Sequence, residues 1–93
     1  MLPIKEKGMF INKSEDGKNN ICGGMIMKLR KQLGISQREL ADRMQLAGLD
    51  IDKNAVQRIE SGKRFVTDIE LRYFCTVLRV SVEELLFGDT ASV

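Results

Sequence analysis

The chain has 93 residues, of which 43% are hydrophobic and 30% charged, and its formal net charge is +2. That composition suits one small globular domain, and five aromatic residues with no tryptophan favour a core of aliphatic side chains between packed helices. No apolar run approaches the roughly 18 residues that a membrane span needs, and the N-terminus lacks the apolar stretch of a signal peptide. We therefore expect a cytoplasmic protein with no membrane partner.

The sequence offers no metal, cofactor or catalytic chemistry. Its two cysteines, Cys22 and Cys75, are far apart and histidine is absent, which leaves too few ligands for a structural zinc site. We expect both thiols to be reduced and mostly buried. A glycine-rich phosphate loop, a nucleophile elbow and paired carboxylates in an evident cleft are also missing. We therefore predict a protein that is not an enzyme and needs no cofactor.

Residues 1–21 are rich in Gly, Asn, Ser, Asp and Lys and show no helical periodicity. We predict that they form a flexible N-terminal arm outside the main fold, open to partial disorder. The segment GMFIN within it is compatible with a short strand added to a partner, although an unstructured tail is the commoner outcome. The folded domain is expected over residues 22–88, with residues 89–93 as a C-terminal tail.

The first helix is predicted from a single apolar stripe. Its members, at i, i+4, i+7 and i+11, are Cys22, Ile26, Leu29 and Leu33. This spacing places all four side chains on one face of a helix. Gly34 can adopt the left-handed conformation that ends many helices, so the pattern predicts a helix over residues 22–33.

Four further helix starts share one signature. In each, an apolar residue precedes a capping residue, and a second apolar residue follows at the spacing of a hydrophobic staple. The four sets are Ile35, Ser36 and Leu40; Ile51, Asp52 and Val56; Val66, Thr67 and Leu71; and Val80, Ser81 and Leu85. The helices that they predict span residues 37–47, 53–61, 68–78 and 82–87. The expected fold is therefore all-α, a compact five-helix bundle.

Three of these starts also carry glutamate at the third helical position, which completes a capping box. The pairs are Ser36 with Glu39, Thr67 with Glu70, and Ser81 with Glu84. The third helix differs, because Asp52 caps it but Ala55 takes the third position and no carboxylate follows in the first turn. Such a start suits an external anion nearby.

The segment KNAVQRIESGKR, residues 53–64, concentrates positive charge. It holds a net charge of +3 in a chain of net +2. At 100° per residue, Val56 and Ile59 point within about 60° of each other and face the core. The opposite side carries amides and a guanidinium, which suit base edges in the major groove of DNA, since Asn and Gln pair with adenine and Arg pairs with guanine.

The predicted site residues fall into two groups. Those expected to contact bases are Lys53, Asn54, Gln57 and Arg58. Those expected to contact the DNA backbone are Ser36, Gln37, Ser61, Lys63 and Arg64. The second group lies at the start of the second helix, where free amides favour a phosphate, and at the exit from the third. An ordinary polar surface is the alternative interpretation.

These segments resemble the Cro/C1-type helix-turn-helix family of bacterial and phage repressors, also called the Xre family. LRKQLGISQRELADRM resembles its first two helices, NAVQRIESGKR its recognition helix and exit loop, and LRVSVEELLFG its closing helix. The resemblance covers about residues 24–88. It implies a lambda-repressor-like domain that binds double-stranded DNA as a transcriptional regulator, usually a repressor, with a homodimer on a palindromic operator.

By position, the resemblance also implies roles for single residues. Gln37 would contact phosphate and the first base, and Lys63 would contact the backbone. The base-reading positions are those of Lys53, Asn54 and Arg58, with Gln57 close enough to assist. Arg30 and Glu60 match an internal ion pair that ties the first helix to the end of the third.

The sequence departs from the family in the connection between the second and third helices. QLAGLDID makes this connection several residues longer than the usual short turn. Either the second helix extends to about Ala47 before Gly48 ends it, or the connection loops outward.

Two alternatives remain on the same fold. One is a protein-interaction module, such as an antitoxin whose N-terminal arm binds a toxin, which would give the arm a protein partner. The other is a DNA binder without sequence preference. Such a binder would carry lysine around much of its surface, whereas here the positive excess is confined to residues 53–64.

Overall fold

The structure is a computed structural model that describes residues 16–88. Its helices are α1 (Gly23–Gln32), α2 (Gln37–Ala47), α3 (Lys53–Glu60), α4 (Asp68–Leu78) and α5 (Val82–Phe87). The predicted all-α five-helix fold is confirmed, and every helix begins and ends within one residue of its predicted bounds. Most of the predicted N-terminal arm and the C-terminal tail lie outside the described residues.

Side-chain caps begin four of the helices. In α2, the Ser36 hydroxyl accepts the Glu39 amide at 3.0 Å while the Glu39 carboxylate accepts the Ser36 amide at 2.9 Å. The same reciprocal capping box begins α4 and α5. At α3, Asp52 Oδ1 accepts the Ala55 amide at 2.8 Å. The predicted caps are confirmed, and they satisfy amides that a helix start otherwise leaves without partners.

The core lies between the helices, and its buried side chains within residues 16–88 are aliphatic or sulfur-containing apart from the ring of Phe74. Its largest fully buried side chains are Phe74, Ile26, Leu40, Met44, Ile59, Leu85 and Val56. Val56 and Ile59 come from α3, which packs against α1 and α2. Leu33, predicted to close the apolar stripe of α1, is instead 49% exposed because it follows the last helical residue, where the chain turns away.

The connection between α2 and α3 folds back onto α2. Gly48 has φ 116° and its amide bonds to carbonyls of the last turn of α2, and the Leu49 amide bonds to the Met44 carbonyl at 3.0 Å. The Gln45 side chain donates to the Ile51 carbonyl at 2.8 Å. Of the two predicted alternatives the structure shows the first, in which α2 extends to Ala47, and these bonds fix where α3 starts.

The segment directly before α1 is hydrogen-bonded to the end of α3. The Asn19 amide donates to the Gly62 carbonyl at 2.8 Å. The Asn20 side chain donates to the carbonyls of Ile59 at 3.0 Å and Arg64 at 2.8 Å, and accepts the Gly23 amide at 2.8 Å. Asn20 thus satisfies polar groups at the start of α1 and the end of α3 at once. Periodicity could not show this, because the segment is not helical.

The start of α1 lies directly against the end of α3. Gly23 is buried, and a Cβ atom there would overlap the backbone oxygen of Ile59. The next residue, Gly24, is exposed and a Cβ atom there would meet nothing within 4 Å. The two adjacent glycines therefore differ in kind, since only the first is required by close packing.

No helix within residues 16–88 is long and apolar enough to cross a bilayer.

Candidate nucleic-acid interface

The outward face of α3 carries the four side chains predicted to contact bases. They are Lys53, Asn54, Gln57 and Arg58, and all four are exposed. On the inward face, Val56 and Ile59 are 0% exposed. The structure therefore brings the predicted base-contacting residues together on one accessible surface. Within this helix no acidic side chain lies in the first turn, and Arg58 lies in the last turn.

Arg30 and Glu60 form the expected ion pair. Arg30 Nε donates to Glu60 Oε2 at 2.7 Å and Nη2 donates to Oε1 at 3.0 Å. A third donor, Nη1, bonds to the Ile35 carbonyl at 2.9 Å. The hydrogen bond to Glu60 raises the pKa of Arg30, although burial opposes the charged form. Because the pair is buried, the negative charge at the end of α3 is compensated inside the domain and repels an approaching phosphate less.

Gln37 is held by the same carboxylate. Its side-chain nitrogen donates to Glu60 Oε1 at 3.0 Å, and the residue is half-buried at the start of α2. The sequence predicted that Gln37 contacts DNA but not that Glu60 positions it. One carboxylate thus joins α1, α2 and the end of α3. Ser36, the other predicted contact here, is exposed, and its hydroxyl accepts the Glu39 amide as the cap of α2.

Lys63 lies in the exit loop that follows α3. Lys63 is exposed, and its amide donates to the Arg58 carbonyl at 2.8 Å. The Ser61 hydroxyl donates to the same carbonyl at 3.1 Å. On the other side, the Asn19 side chain donates to the Lys63 carbonyl at 3.1 Å. The exit loop is therefore fixed to both α3 and the preceding N-terminal segment, which positions the Lys63 side chain.

Arg64 does not stand beside Lys63 as a free cation. Its guanidinium bonds to the Glu70 carboxylate through two contacts of 2.9 Å and to the Phe65 carbonyl at 3.1 Å. This hydrogen bonding raises the pKa of Arg64 and lowers the pKa of Glu70. Arg64 therefore links the exit loop to α4, where Glu70 compensates its charge. Its contact with the DNA backbone stays a prediction.

Comparison with protein families identifies this arrangement. A helix-turn-helix family model matches residues 26–85, which is more than half of the chain. The chain belongs to the Cro/C1-type helix-turn-helix family. The family assignment confirms the resemblance inferred from the sequence, and it also confirms the expectation that the protein is not an enzyme.

Two solved structures are similar to this helix-turn-helix domain. One is the restriction-modification controller protein C.AhdI from Aeromonas hydrophila, with 28% identity and a TM-score of 0.59 over 68% of this chain and 84% of that chain. The other is the clp gene regulator ClgR from C. glutamicum, with 23% identity and a TM-score of 0.64 over 80% of this chain and 90% of that chain. The second supports the fold alone. No curated protein matches the chain significantly.

The helix-turn-helix geometry depends on side chains that the sequence interpretation missed. Asn20 was assigned to the arm, and Gln45 was given no role, yet both donate to backbone carbonyls that fix the ends of α3. A signal existed for Asn20, since an asparagine three residues before an amide at a helix start can cap it. No local signal existed for Gln45, because its partner is set by the fold of the connection.

The two cysteines of the domain are free thiols. Cys22 is buried and Cys75 is half-buried. Burial raises the pKa of Cys22 to about 11 and also raises the pKa of Cys75. Low thiolate content makes both poor nucleophiles and poor metal ligands near neutral pH. Across residues 16–88, no group of three or more His, Cys, Asp or Glu side chains is placed to hold a metal ion.

Proposed function

We propose that this helix-turn-helix domain binds specific sequences of double-stranded DNA and acts as a transcriptional repressor. The single observation that carries the proposal is the exposed face of α3, which combines two amides, a guanidinium and an ammonium group opposite a fully buried apolar face. Amide and guanidinium groups can make paired hydrogen bonds to base edges. Solubility alone does not require this combination of side chains on a protein surface.

Base reading is assigned to the side chains of this face. Asn54 and Gln57 can each donate to and accept from an adenine, and Arg58 can donate two hydrogen bonds to a guanine. Lys53, at the first helical position, reaches a base or phosphate at the near edge of the groove. The start of α3 suits this arrangement. The Asp52 carboxylate caps the helix, and no acidic side chain lies in the first turn after it.

Backbone contacts are assigned to residues on both sides of α3. Lys63 is the exposed cation of the exit loop, and Gln37 at the start of α2 is held in place by Glu60. Ser36 and Ser61 are exposed hydroxyls at the same two places. Such contacts fix the position of the protein on the duplex without carrying sequence information.

A regulatory role is supported by likeness to one solved structure. C.AhdI, with 28% identity, is a restriction-modification controller protein. We propose that this chain regulates transcription, and that it does so as a homodimer on a palindromic operator. A toxin-binding N-terminal arm is less well supported, because Asn19 and Asn20 use their hydrogen bonds within the domain.

Selection of bound sequences from a randomised duplex pool at about 150 mM salt tests this function. The proposal predicts an enriched inverted repeat whose half-sites lie about one helical turn apart. If the duplexes are retained but no sequence is enriched, the protein binds the DNA backbone without reading bases. Failure to retain any duplex would refute DNA binding by this chain.

A further inference from the structure

A second accessible surface lies where the C-terminal ends of α1, α2 and α4 meet. It is an open groove of about 500 Å³. The residues that define it here, as the Leu46 groove, are Leu33, Arg43, Leu46, Val77 and Arg79. None of them belongs to the DNA-contact groups described above. The groove therefore needs a separate explanation.

Part of the lining of the Leu46 groove is apolar. Leu46 is 88% exposed and Leu33 is 49% exposed, and Val77 of α4 is half-buried and packs against the core. Single exposed leucines are common on protein surfaces, but here two of them line one groove.

The rim of the Leu46 groove is positively charged. Within residues 16–88 the guanidinium groups of Arg43 and Arg79 have no hydrogen bond or ion pair. By contrast, the guanidinium groups of Arg30 and Arg64 are both bound to carboxylates. None of the described residues that line the groove is acidic. Its two arginines are therefore free to bind carboxylates supplied from outside.

The backbone at Arg79 adds an independent observation. Arg79 has φ 61° and ψ 47°, and within residues 16–88 it is the one residue other than glycine with positive φ. Glycine is the usual residue where a helix ends in this left-handed conformation, and a side chain there costs about 1 kcal/mol. The chain places a long cationic side chain at a position where glycine would be less strained. This is consistent with a role for the side chain itself.

The Leu46 groove lies on a different side of α2 from the recognition helix. Arg38 and Gln45 line the cleft between α2 and the start of α3. At 100° per residue, the direction of Arg43 and Leu46 lies about 120° around α2 from that cleft. A molecule in the groove and a duplex on α3 would therefore occupy separate faces, so the domain could hold both together.

We propose that the Leu46 groove binds an acidic amphipathic helix of another protein. The apolar side chains of the groove would contact aliphatic side chains spaced at i, i+3 or i+4, and i+7 along that helix. Carboxylates flanking them would pair with Arg43 and Arg79. A nucleic acid fits less well, because a phosphate backbone makes no favourable contact with the exposed leucines. The domain would then act as a DNA-bound adaptor that recruits a second protein.

A peptide-binding experiment on the full chain tests this proposal. The probe is a fluorescein-labelled helical peptide of about 16 residues with Leu at the anchor positions and Glu beside them. A matched peptide replaces each Glu with Lys. We expect at least about tenfold tighter binding of the acidic peptide, and weakening of that binding by added salt. Equal binding of both peptides, or of neither, would overturn the proposal.

Two variants locate the site. Leu46→Gln and Arg79→Gly should each weaken binding of the acidic peptide by about tenfold, while Arg38→Ala, on the cleft facing α3, should leave it unchanged. Glycine adopts the backbone conformation of residue 79 without strain, so the melting temperature of the Arg79→Gly variant should rise even as its peptide binding falls. Leu46 is already exposed, so Leu46→Gln should fold normally. Both variants should retain DNA binding, and equal loss of DNA and peptide binding would contradict two separate faces.

Two other occupants would overturn the proposal in recognisable ways. If a second copy of this chain fills the groove, sedimentation will show self-association that Leu46→Gln abolishes. If the groove contacts DNA, duplex DNA will displace the acidic peptide, and Arg79→Gly will lower the salt dependence of DNA binding.

Discussion

The side chain of Gln37 donates a hydrogen bond of 3.0 Å to the carboxylate of Glu60, so the start of α2 and the end of α3 share one anchor. The same carboxylate takes two donors from Arg30 of α1. Three helices are therefore fixed relative to one another at the place where a duplex would sit. A change at this carboxylate should alter the shape of the interface as well as the stability of the fold.

Removing the positive partner should be strongly destabilising. Arg30→Met leaves the Glu60 carboxylate, whose side chain is 2% exposed, buried without its cation, and we expect a loss of about 3 kcal/mol in the free energy of unfolding. Urea unfolding followed by circular dichroism measures this. The matched control is Lys28→Met, an exposed residue of the same helix, which should change stability little.

The double variant Arg30→Met with Glu60→Leu gives a further check on the pair. Replacing both charges with apolar groups should recover much of the lost stability, because no buried charge is left unpaired. An unchanged melting temperature in Arg30→Met alone would contradict the pairing.

The two adjacent glycines provide a paired test of helix packing. Gly23→Ala would push a methyl group into the backbone of Ile59, so α1 and α3 would have to separate. We expect a loss of at least about 2 kcal/mol in unfolding free energy and weaker DNA binding. Gly24→Ala meets nothing within 4 Å and should be neutral or stabilising by up to about 1 kcal/mol. Equal effects in thermal unfolding would contradict the close approach.

The position of Asn20 in the fold predicts a cost for its removal. Asn20→Ala loses two donated bonds and one accepted bond at the junction of α1 and α3, and we expect a loss of about 2 kcal/mol. Asn54→Ala, which removes an exposed side chain of α3, should leave stability unchanged. Amide hydrogen exchange should speed up at Gly23 in the Asn20 variant, and unchanged exchange there would place Asn20 outside the fold.

Local features of the sequence predicted the helices accurately, and this success has a physical reason. Capping boxes such as Ser36 with Glu39, and staples such as Ile51 with Val56, involve residues close in the chain. Their spacing alone therefore specifies where a helix begins. The same periodicity predicted which face of α3 is exposed. Once the buried residues of a helix are known, the residues on its opposite side are expected to face solvent.

Features that depend on the tertiary fold could not be predicted in the same way. No local pattern indicates that Glu60 holds Gln37 or that Arg64 faces Glu70 across a helix start. Residues before α1 looked like an arm, because an irregular segment that satisfies helix ends has no periodicity. The Arg30 and Glu60 pair was expected only from the family resemblance, since nothing in the spacing of those two residues indicates contact.

The hydrogen-bonded ion pair between Arg64 and Glu70 should make the free energy of unfolding depend on pH in the acid range. The pKa of Glu70 is lowered in the folded state, first by the hydrogen bond from Arg64. The contribution of Glu70 to the free energy of unfolding is therefore fully present at pH values above the ordinary glutamate pKa of 4.5. It is lost as the pH falls through the lower pKa of the folded state. Urea unfolding should show a smaller fall in stability with acid in Glu70→Gln than in the unaltered chain. Identical pH dependence would contradict the contribution of Glu70.

The most direct test of base reading by α3 compares Arg58→Ala with Lys63→Ala on sequences selected from a randomised duplex pool. We predict that Arg58→Ala relaxes the preference at one position of each half-site, with a loss of about 1 to 3 kcal/mol on the preferred sequence. Lys63→Ala should weaken all duplexes alike and reduce the salt slope by about one unit. If Arg58→Ala instead weakened every sequence equally, Arg58 would be a backbone contact and the proposed recognition by α3 would be contradicted.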